Sequence, residues 1–520
     1  MAPFRLFLAA SIAITVFLKF LCEAYLPSRN LFTTSIEIFA VETVAWLVWR
    51  CLVYPKLLSP LRALPGPSGG SFFMGQSANI RRISNGQGIL YRAWSEEIPN
   101  DGIIRYLDMF NTEFLLLVSP KALAEVLVQK PYEFIKPPIL VSGLSQILGV
   151  GVFLAEGEDH KKQRKDLMPA FAFRHIKELY PIFWNKSSEL IQALKTHSET
   201  GSGNSDKPNT NVDVKDWTSR ATLDIIGLAG LGRDFNAIKD PNNELIRTYK
   251  QIFSFSRSGQ IPASQLIRKT CYSLVQQEKL GLASKKEGTG KNILSVAIES
   301  GGFTDEGLVN QLMTFLIAGH ETTASALCFA IYALCKHPEI QRRLRMEVRS
   351  SLPDPRSPTS SISSNNIDSL PYLSAVCNEV LRLYSPTPVT ARVSTQNTTI
   401  LGHYIPKNTT IFISSWATNA NKDLWGEDAA KFNPDRWLDE GQQANKGGAE
   451  SNYAFLTFLH GPRSCIAQNF AKAEFACLLA AWAGAFETRF ANADYVLEIK
   501  TGLTPTPKDL EVTVQALEEW

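Results

Sequence analysis

The sequence lacks the cysteine patterns of a zinc module or a disulfide-stabilised scaffold. Its eight cysteines among 520 residues form no Cys-x-x-Cys pair and no Cys/His cluster with zinc spacing. It also lacks an excess of one charge, since 53 Lys and Arg oppose 50 Asp and Glu, which excludes nucleic acid as the main partner. Neither Gly-x-Gly-x-x-Gly nor the Gly-rich phosphate-binding loop is present, so no nucleotide-binding motif is indicated.

The N-terminus has no single ideal membrane-spanning run, but it has two imperfect ones. Leu6 to Leu18 is uncharged and short, whereas Leu31 to Trp49 is long enough but contains Glu37 and Glu42. Three interpretations stay open: a cleaved signal peptide ending near residues 22–24, a single signal anchor, or two spans forming a hairpin. In the last two, residues 1–55 tether the chain to membrane lipid.

A basic segment rich in Pro and Gly follows the apolar runs. Arg50, Lys56 and Arg62 favour the cytosolic side for the part of the chain that follows. The Pro and Gly residues between 64 and 70 exclude a continuous helix there. Residues 56–70 are therefore predicted to be a stiff hinge, and residues 71–520 a single large domain.

Most of that domain has helical periodicity, with few β-rich runs. Residues 103–106 and 114–118 predict a strand pair, and strand-like residues at 398–401 and 409–414 flank Gly402. With 45% hydrophobic residues, the chain can bury a large core. The predicted fold class is mainly α with small β-sheets, which excludes a doubly wound nucleotide fold.

The longest predicted helix begins after an N-cap at Thr304 and ends at Lys336, before His337-Pro338. Its centre carries the polar residues of Ala318-Gly319-His320-Glu321-Thr322-Thr323 between apolar runs. One interpretation is a solvated stripe. The other is a local opening, where Gly319 and the Thr322 hydroxyl disturb the backbone hydrogen bonds and hold water.

Near the C-terminus, Phe458-Leu459-His460-Gly461-Pro462-Arg463-Ser464-Cys465 precedes another helical run. A thiol at a helix start is predicted to have a lowered pKa and to favour a metal as its thiolate. Because Phe, Gly, Arg and Cys all occur in register, this loop resembles the haem-binding signature of the cytochrome P450 superfamily.

Two further segments resemble motifs of that family in the expected order. Glu379-Val380-Leu381-Arg382 is similar to its Glu-x-x-Arg helix, and the segment 432–437 is similar to its Phe-x-Pro-x-Arg-Trp motif. Glu379 and Arg382 lie one helical turn apart. Arg436 is predicted to complete a three-residue ion network with them.

The resemblance implies the cytochrome P450 fold, with haem b between the long distal helix and the proximal helix after the Cys loop. Cys465 would be the axial ligand of the haem iron, and its electron density would favour O–O cleavage. Glu321 matches the acid and Thr322 the alcohol of the family's oxygen-activation motif. These two are the predicted catalytic residues, as a proton relay. Residues 71–520 would then be a haem-thiolate catalytic domain.

Haem propionates need cationic or hydrogen-bonding partners. The predicted cofactor-binding residues besides Cys465 are Arg463, Phe458, Arg392, His160 and Arg164. The sequence departs from the family at His160, where Trp is common, and at Ala467, where Gly is usual. The first departure leaves open a plain surface histidine, and the second adds one methyl group near the porphyrin.

Without a flavin or NADPH motif, the chain would need an external electron donor. The resemblance implies an NADPH-cytochrome P450 reductase, with cytochrome b5 as a second candidate donor. Lys161, Lys162 and Lys165 are predicted to aid docking of the acidic donor, although a charge run can also be a solvated helix face. The implied location is the endoplasmic reticulum membrane, with the catalytic domain in the cytosol.

The apolar segments 134–152, 253–255 and 386–391 indicate a lipophilic small-molecule substrate. The predicted activity is a monooxygenase that inserts one oxygen atom of O2, of the membrane-bound fungal type that acts in secondary-metabolite biosynthesis. One alternative is a haem-thiolate isomerase or dehydratase, but members of that kind usually lack the pair seen at Glu321 and Thr322. The other alternative is a non-catalytic haem-binding protein.

Overall fold

The computed structural model describes residues 2–21, 31–82, 87–200, 211–243, 247–249, 251, 257–284, 292–357, 362–438, 446–517 and 520. Its α-helices are α1 (Ala2–Leu21), α2 (Leu31–Val48), α3 (Ser77–Arg82), α4 (Gln87–Glu97), α5 (Pro120–Ala124), α6 (Pro138–Leu148), α7 (Gly157–Leu167), α8 (Phe173–Lys177), α9 (Tyr180–Thr200), α10 (Val214–Ile225), α11 (Arg257–Ala283), α12 (Ile293–Glu299), α13 (Asp305–Lys336), α14 (Pro338–Ser351), α15 (Ser364–Asp368), α16 (Pro371–Leu383), α17 (Ser415–Thr418), α18 (Lys422–Trp425) and α19 (Gln468–Ala485). Short π-helical segments continue α2, α5 and α10 at Trp49–Leu58, Glu125–Gln129 and Ile226–Gly230.

The strands are short and divided among small sheets. They are β1 (Ile103–Leu107), β2 (Glu113–Leu117), β3 (Phe134–Ile135), β4 (Asn211–Asp213), β5 (Val389–Ser394), β6 (Thr398–Ile400), β7 (His403–Ile405), β8 (Thr410–Ser414), β9 (Phe486–Phe490), β10 (Ile499–Lys500), β11 (Thr506–Pro507) and β12 (Glu511–Ala516). The largest sheet has the order β1-β2-β8-β5-β3, and a second has the order β4-β12-β9. A mainly helical fold with small sheets is thus confirmed.

The predicted strand pair is β1 with β2, which pair antiparallel in a register that joins Ile103 to Leu117. The second strand-like group divides between two sheets. Strand β6 pairs with β7 across a turn in which Leu401 and Gly402 both have positive φ, whereas β8 joins the largest sheet parallel to β2. The short β7 was not predicted, because its three residues show no extended apolar pattern.

The long distal helix α13 is confirmed at both ends. The Thr304 hydroxyl accepts a hydrogen bond from the Gly307 amide at 3.1 Å, and the last helical residue is Lys336. At ~1.5 Å per residue, the helix is about 48 Å long. It packs against α10 and α19 in the main core, so that the helix after β4 and the helix after the Cys loop both contact it.

Residues predicted to form the hinge lie against strand β1. The Arg105 amide donates to the Pro65 carbonyl at 2.8 Å. A Cβ added at Gly66 would lie only 2.1 Å from the Arg105 carbonyl oxygen, so only glycine fits there. The segment is therefore held to the sheet edge by the backbone.

Among the residues whose side chains the structure describes, which leave out several in α1 and α2, one helix is long and apolar enough to cross a membrane by length and composition. It is α13, and 78% of its apolar window is buried inside the protein, as expected for a core helix. Leu6–Leu18 is a shorter apolar helix by the same test. The division of the chain into anchor, hinge and catalytic domain stays a prediction.

Candidate active site

Cys465 lies in a tight loop that ends at helix α19. The Cys465 amide donates to the Phe458 carbonyl at 2.9 Å, which closes the loop. Gly461 has φ +78°, and a Cβ there would lie 2.2 Å from the Leu127 carbonyl oxygen. Glycine therefore lets this loop lie against the π-helical segment 125–129.

Cys465 is the exposed thiol among the cysteines that the structure describes. Cys51 and Cys335 are half-buried, and the other four are buried. The prediction of a lowered pKa is wrong for the protein alone. Dense surrounding protein raises the pKa of Cys465 by desolvation, although part of the side chain is exposed, and the Ala467 amide and Arg164 offset this only in part.

Arg164 holds the Cys loop from the neighbouring helix α7. Its guanidinium donates to the Ser464 carbonyl at 2.7 Å and to the Ser464 hydroxyl at 3.4 Å. Burial lowers the pKa of Arg164, and the Cys465 thiol opposes that effect. Arg164 thus fixes the residue directly before the thiol.

Four basic side chains gather around a single carboxylate beside this loop. Arg463 forms an ion pair with Glu156, and Lys136 reaches the same Glu156 Oε1 at 3.3 Å. Burial and Arg463 together lower the pKa of Arg392 to about 10 and that of Lys136 to about 8. His160 is the fourth member, with its pKa lowered to about 4 by burial and Arg463. The cluster carries more positive charge than Glu156 can balance.

His160 is buried, with 3% of its surface exposed, so it is not a plain surface histidine. Its Nδ1 is 3.1 Å from the Tyr132 hydroxyl. Arg392 is also buried and donates to the Ala391 carbonyl at 2.8 Å. Sequence reasoning missed Lys136 and Glu156, which lie in apolar or loop contexts with no motif of their own.

Phe458 contributes its carbonyl to the Cys loop and its half-buried ring to the core. Its ring packs against the main hydrophobic core, and the Lys472 ammonium lies 5.8 Å from the ring centroid. Arg463 donates to the Phe134 carbonyl at 2.7 Å and to the Pro131 carbonyl at 3.2 Å. The loop is therefore anchored to strand β3 as well as to helix α7.

These residues fit a haem group with two anionic propionates. An exposed thiol lies beside a cationic cluster that has one carboxylate for several buried cations. Within the described residues, Arg463 Nε and Glu156 Oε2 are buried without a hydrogen-bond partner. A dianion at this cluster would supply the charge that the protein does not.

Glu321 and Thr322 lie at the centre of α13, which is an uninterrupted helix there. The predicted local opening is therefore not observed. The Thr322 hydroxyl donates to the Ala318 carbonyl at 2.7 Å within the intact turn. Both side chains are partly exposed, so they are accessible to solvent.

A buried histidine stands next to this acid. His320 Nε2 lies 3.7 Å from Glu321 Oε1, and His320 Nδ1 lies 2.9 Å from the Tyr249 hydroxyl. The Thr504 hydroxyl donates to the Glu321 carbonyl at 3.3 Å. The backbone at Glu321 is thus joined to the segment that leads to β11, while its carboxylate lies beside His320.

Glu379, Arg382 and Arg436 come together as a buried network. Arg382 contacts both carboxylate oxygens of Glu379 at 2.8 Å, and Arg436 Nε contacts Glu379 Oε1 at 3.1 Å. The side chains of Glu379 and Arg382 are 0% exposed. Arg382 also donates to the Asn419 and Ala429 carbonyls at 2.7 Å.

The three lysines predicted to dock an electron donor are exposed on α7. Lys161 forms an ion pair with Glu158 at 2.6 Å. Lys162 and Lys165 make no ion pair with other described residues. Helix α7 thus presents His160 and Arg164 inward and the lysines outward.

The predicted substrate segments are partly described. Within 134–152, helix α6 contributes an exposed Ile139, and the Val152 amide donates to Gln311 of α13 at 2.9 Å. Residues 386–391 lead into β5. The predicted segment 253–255 lies outside the described residues.

Glu474 is a buried acid that sequence reasoning did not identify. It lies on α19, is 0% exposed, and neither carboxyl oxygen has a hydrogen-bond partner among the described residues. Burial raises its pKa well above the ordinary value, and the nearby Thr323 hydroxyl offsets this only in part. Thr323 itself donates to the Gly319 carbonyl at 3.4 Å. Burial therefore favours the neutral form of Glu474, which lies on α19 where this helix faces Thr323 of α13.

We expect Glu474→Gln to remove a pH dependence of stability. Because the pKa is raised in the folded state, stability falls as the pH rises above the unfolded value of about 4.3, by up to about 1.4 kcal/mol per pH unit. The variant should match the parent near pH 5 and unfold at a higher temperature near pH 8. Thermal unfolding across this pH range checks it, with the exposed Glu427→Gln as a control. An unchanged pH slope in Glu474→Gln would contradict it.

Comparisons with known proteins show the family of the chain. The family model for cytochrome P450 matches residues 65–514. The chain is 44% identical to the cytochrome P450 monooxygenase sphH of Aspergillus fumigatus, over 93% of this chain and 94% of that protein. It is 41% identical to the cytochrome P450 monooxygenase ALT8 of Alternaria alternata, over 91% of this chain and 93% of that protein.

A third fungal relative belongs to the same family. The chain is 41% identical to the cytochrome P450 monooxygenase FUM15 of Gibberella moniliformis, over 90% of this chain and 88% of that protein. The matches span the Cys465 loop, the Glu379 helix and the distal helix together. The chain therefore belongs to the cytochrome P450 family and is a monooxygenase of that family.

Proposed function

We propose that the protein inserts one oxygen atom of O2 into a lipophilic small molecule, as hydroxylation, epoxidation or a multistep oxidation. The observation that carries the proposal is the exposed Cys465 thiol beside a cationic cluster, at the start of a helix that packs on the one bearing Glu321 and Thr322. When bound, haem b supplies the activation of O2 at its iron.

Cys465 would hold the iron through its sulfur, and the basic cluster would hold the propionates. Arg463 and Lys136 share Glu156 and still have donor capacity toward an anion. Arg392 and His160 complete the cluster from β5 and α7. Arg164 keeps the loop in place through Ser464 and so orients the thiol.

Thr322 and Glu321 would deliver protons on the distal side. The Thr322 hydroxyl donates its proton to the Ala318 carbonyl, so its oxygen lone pairs stay available to accept a hydrogen bond from water. Glu321 is partly exposed next to it and can exchange protons with solvent. The intact helix holds both groups in fixed positions.

Electrons would come from an NADPH-cytochrome P450 reductase, with cytochrome b5 as a second donor. The exposed Lys162 and Lys165 support a docking surface on α7. Arg164 of the same helix contacts the Cys loop through Ser464. We expect turnover to fall with rising salt. The fungal relatives support a role in secondary metabolism. The apolar N-terminus supports anchoring in the endoplasmic reticulum membrane, with the body in the cytosol.

The test is spectroscopic. The protein is produced in membranes, reduced and exposed to carbon monoxide, and a strongly red-shifted Soret band is expected. Reductase-driven NADPH consumption stimulated by lipophilic compounds then separates a monooxygenase from an isomerase or a non-catalytic haem protein. An unshifted band, or no reductase-dependent oxidation, would count against the proposal.

We expect Thr322→Ala to keep the haem spectrum while product formed per NADPH falls by about 10-fold or more, with peroxide rising instead. Electron delivery continues in this variant, whereas proton delivery fails. Thr322→Ser keeps the hydroxyl and should restore coupling. Thr270→Ala is the matched control, because its hydroxyl makes the same bond to a carbonyl four residues earlier, on α11. Unchanged coupling in Thr322→Ala would remove Thr322 from the mechanism.

A further inference from the structure

Helices α1 and α2 pack against each other as an antiparallel pair. The Ser11 hydroxyl donates to Glu42 Oε2 at 2.7 Å, and the Ser35 hydroxyl donates to Thr15 Oγ1 at 3.1 Å. The Phe7 and Trp46 rings meet edge to face, with centroids 6.2 Å apart. As the residue number rises along α1, the number of its contact partner on α2 falls, so the two helices run antiparallel.

The polarity of this pair is the reverse of that in a water-soluble helix pair. Polar side chains lie between the helices, with Ser11 0% and Thr15 2% exposed. Large apolar side chains face outward, such as Phe17 at 61% and Val41 at 68% exposed. Apolar outer faces around a polar seam suit hydrocarbon and not water.

The lengths and charges fit the same environment. At ~1.5 Å per residue, α1 and α2 are about 30 and 27 Å long, close to the hydrocarbon thickness of about 30 Å. Glu42 lies about 16 Å along α2, near the middle of a bilayer, where an unpartnered carboxyl is most unfavourable. Ser11 supplies its partner. Glu37 lies about 9 Å from the start of α2, about 5 Å from its middle, and is the charged exception on an otherwise apolar outer face.

The far end of α2 is fixed to the body. Its π-helical continuation holds Cys51, whose carbonyl accepts a hydrogen bond from the Asn111 amide group at 2.7 Å. Asn111 also donates to the Phe72 carbonyl at 2.9 Å. Phe72 and Phe73 are exposed beside this junction and extend the apolar surface onto the body.

From these observations we infer that α1 and α2 cross the bilayer together as a hairpin with a polar seam. This rests on the membrane anchoring under the proposed function and decides between one span and two. The bilayer hydrocarbon is the partner of the outer faces. The N-terminus and the catalytic body lie on the same, cytosolic side, and the helix ends at Leu21 and Leu31 lie on the lumenal side.

Glycosylation reporters test the topology in full-length chains inserted into endoplasmic reticulum membranes. One carries a long acceptor cassette within 22–30, one carries an N-terminal acceptor extension, and the native sequons at Asn185, Asn397 and Asn408, all exposed, report on the body. We expect modification of the linker cassette alone. Each cassette with Gln in place of the acceptor Asn is the control.

The other patterns overturn the inference. An N-terminal signal without a linker signal means that α1 alone crosses, signals at both mean that α2 alone crosses, and signals at neither mean that the hairpin does not cross. Modified body sequons would refute the proposed cytosolic orientation instead. The carbon monoxide spectrum of each chain is recorded separately, so loss of the hairpin and loss of the haem-thiolate function are distinguishable.

A cross-link tests the seam itself. In a background with Cys22→Ser, Cys51→Ser and a protease site in the linker, Phe7→Cys with Trp46→Cys should keep the two fragments joined after cleavage and oxidation. Leu8→Cys with Val44→Cys is the matched pair, because both positions face outward. Joined fragments in the outward pair only, or in neither pair, would contradict the packing.

Discussion

Replacing Cys465 with alanine is expected to abolish the red-shifted carbon monoxide band and all detectable monooxygenase activity. No other described cysteine can take its place, because the remaining six are buried or half-buried. Cys335 on α13 is one of the two described cysteines that are half-buried, and burial raises its pKa to about 12. Spectra and haem content of the purified variant are the measurements.

The matched control is Cys335→Ala, which removes a half-buried thiol from α13 and should leave the spectrum unchanged. Cys465→Ala is expected to fold, because the side chain is exposed and the loop is closed by a hydrogen bond from the backbone amide of residue 465 to the Phe458 carbonyl. Circular dichroism checks this. A thiolate-type spectrum in a folded Cys465→Ala protein would refute the ligand assignment.

Replacing Arg382 with alanine is expected to lower the free energy of unfolding by about 3–5 kcal/mol, because it leaves Glu379 buried without its main partner. The Asn419 and Ala429 carbonyls lose their donor as well. Marginal stability means that much of the protein would fail to fold at 37 °C. Denaturant unfolding of protein produced at low temperature measures the effect.

Two comparisons separate the network from ordinary surface pairing. Arg343→Ala breaks the exposed pair with Asp435 and should change stability by at most about 1 kcal/mol. Glu379→Leu combined with Arg382→Met removes both charges and should recover part of the loss, since Glu379 is no longer a buried carboxylate without its main partner and Arg436 keeps its ion pair with Asp428. A loss in Arg382→Ala no larger than that in Arg343→Ala would show that the network does not stabilise the core.

The sequence could predict the parts of this molecule that depend on local pattern. The ends of α13 follow from the Thr304 cap and from Lys336 before His337-Pro338, and β1 and β2 follow from alternation around a turn. The family motifs predicted the ion network of Glu379, Arg382 and Arg436, because each motif specifies the charged residue at a fixed position. Each of these signals lies within a short segment of chain.

The remainder depends on contacts between distant segments. Lys136 and Glu156 carry no motif, and only the fold places them beside Arg463. The raised pKa of Cys465 reflects surrounding protein that spacing cannot show. The sequence around Thr322 allowed either a solvated stripe or a local opening of the helix. The hydrogen bond from the Thr322 hydroxyl to the Ala318 carbonyl, within an intact turn, is seen only in the structure.

The anchoring of the Cys loop sets an order of events during synthesis. Arg463 donates to the carbonyls of Pro131 and Phe134, which lie more than 300 residues earlier in the chain. Arg164 donates to the Ser464 carbonyl, which is made 300 residues after it. At 5–20 residues per second, a ribosome needs about 15–60 s to make that interval. The early segments must therefore persist without their partner for that time, and a cofactor held by Cys465 can be retained only after translation of almost the whole chain.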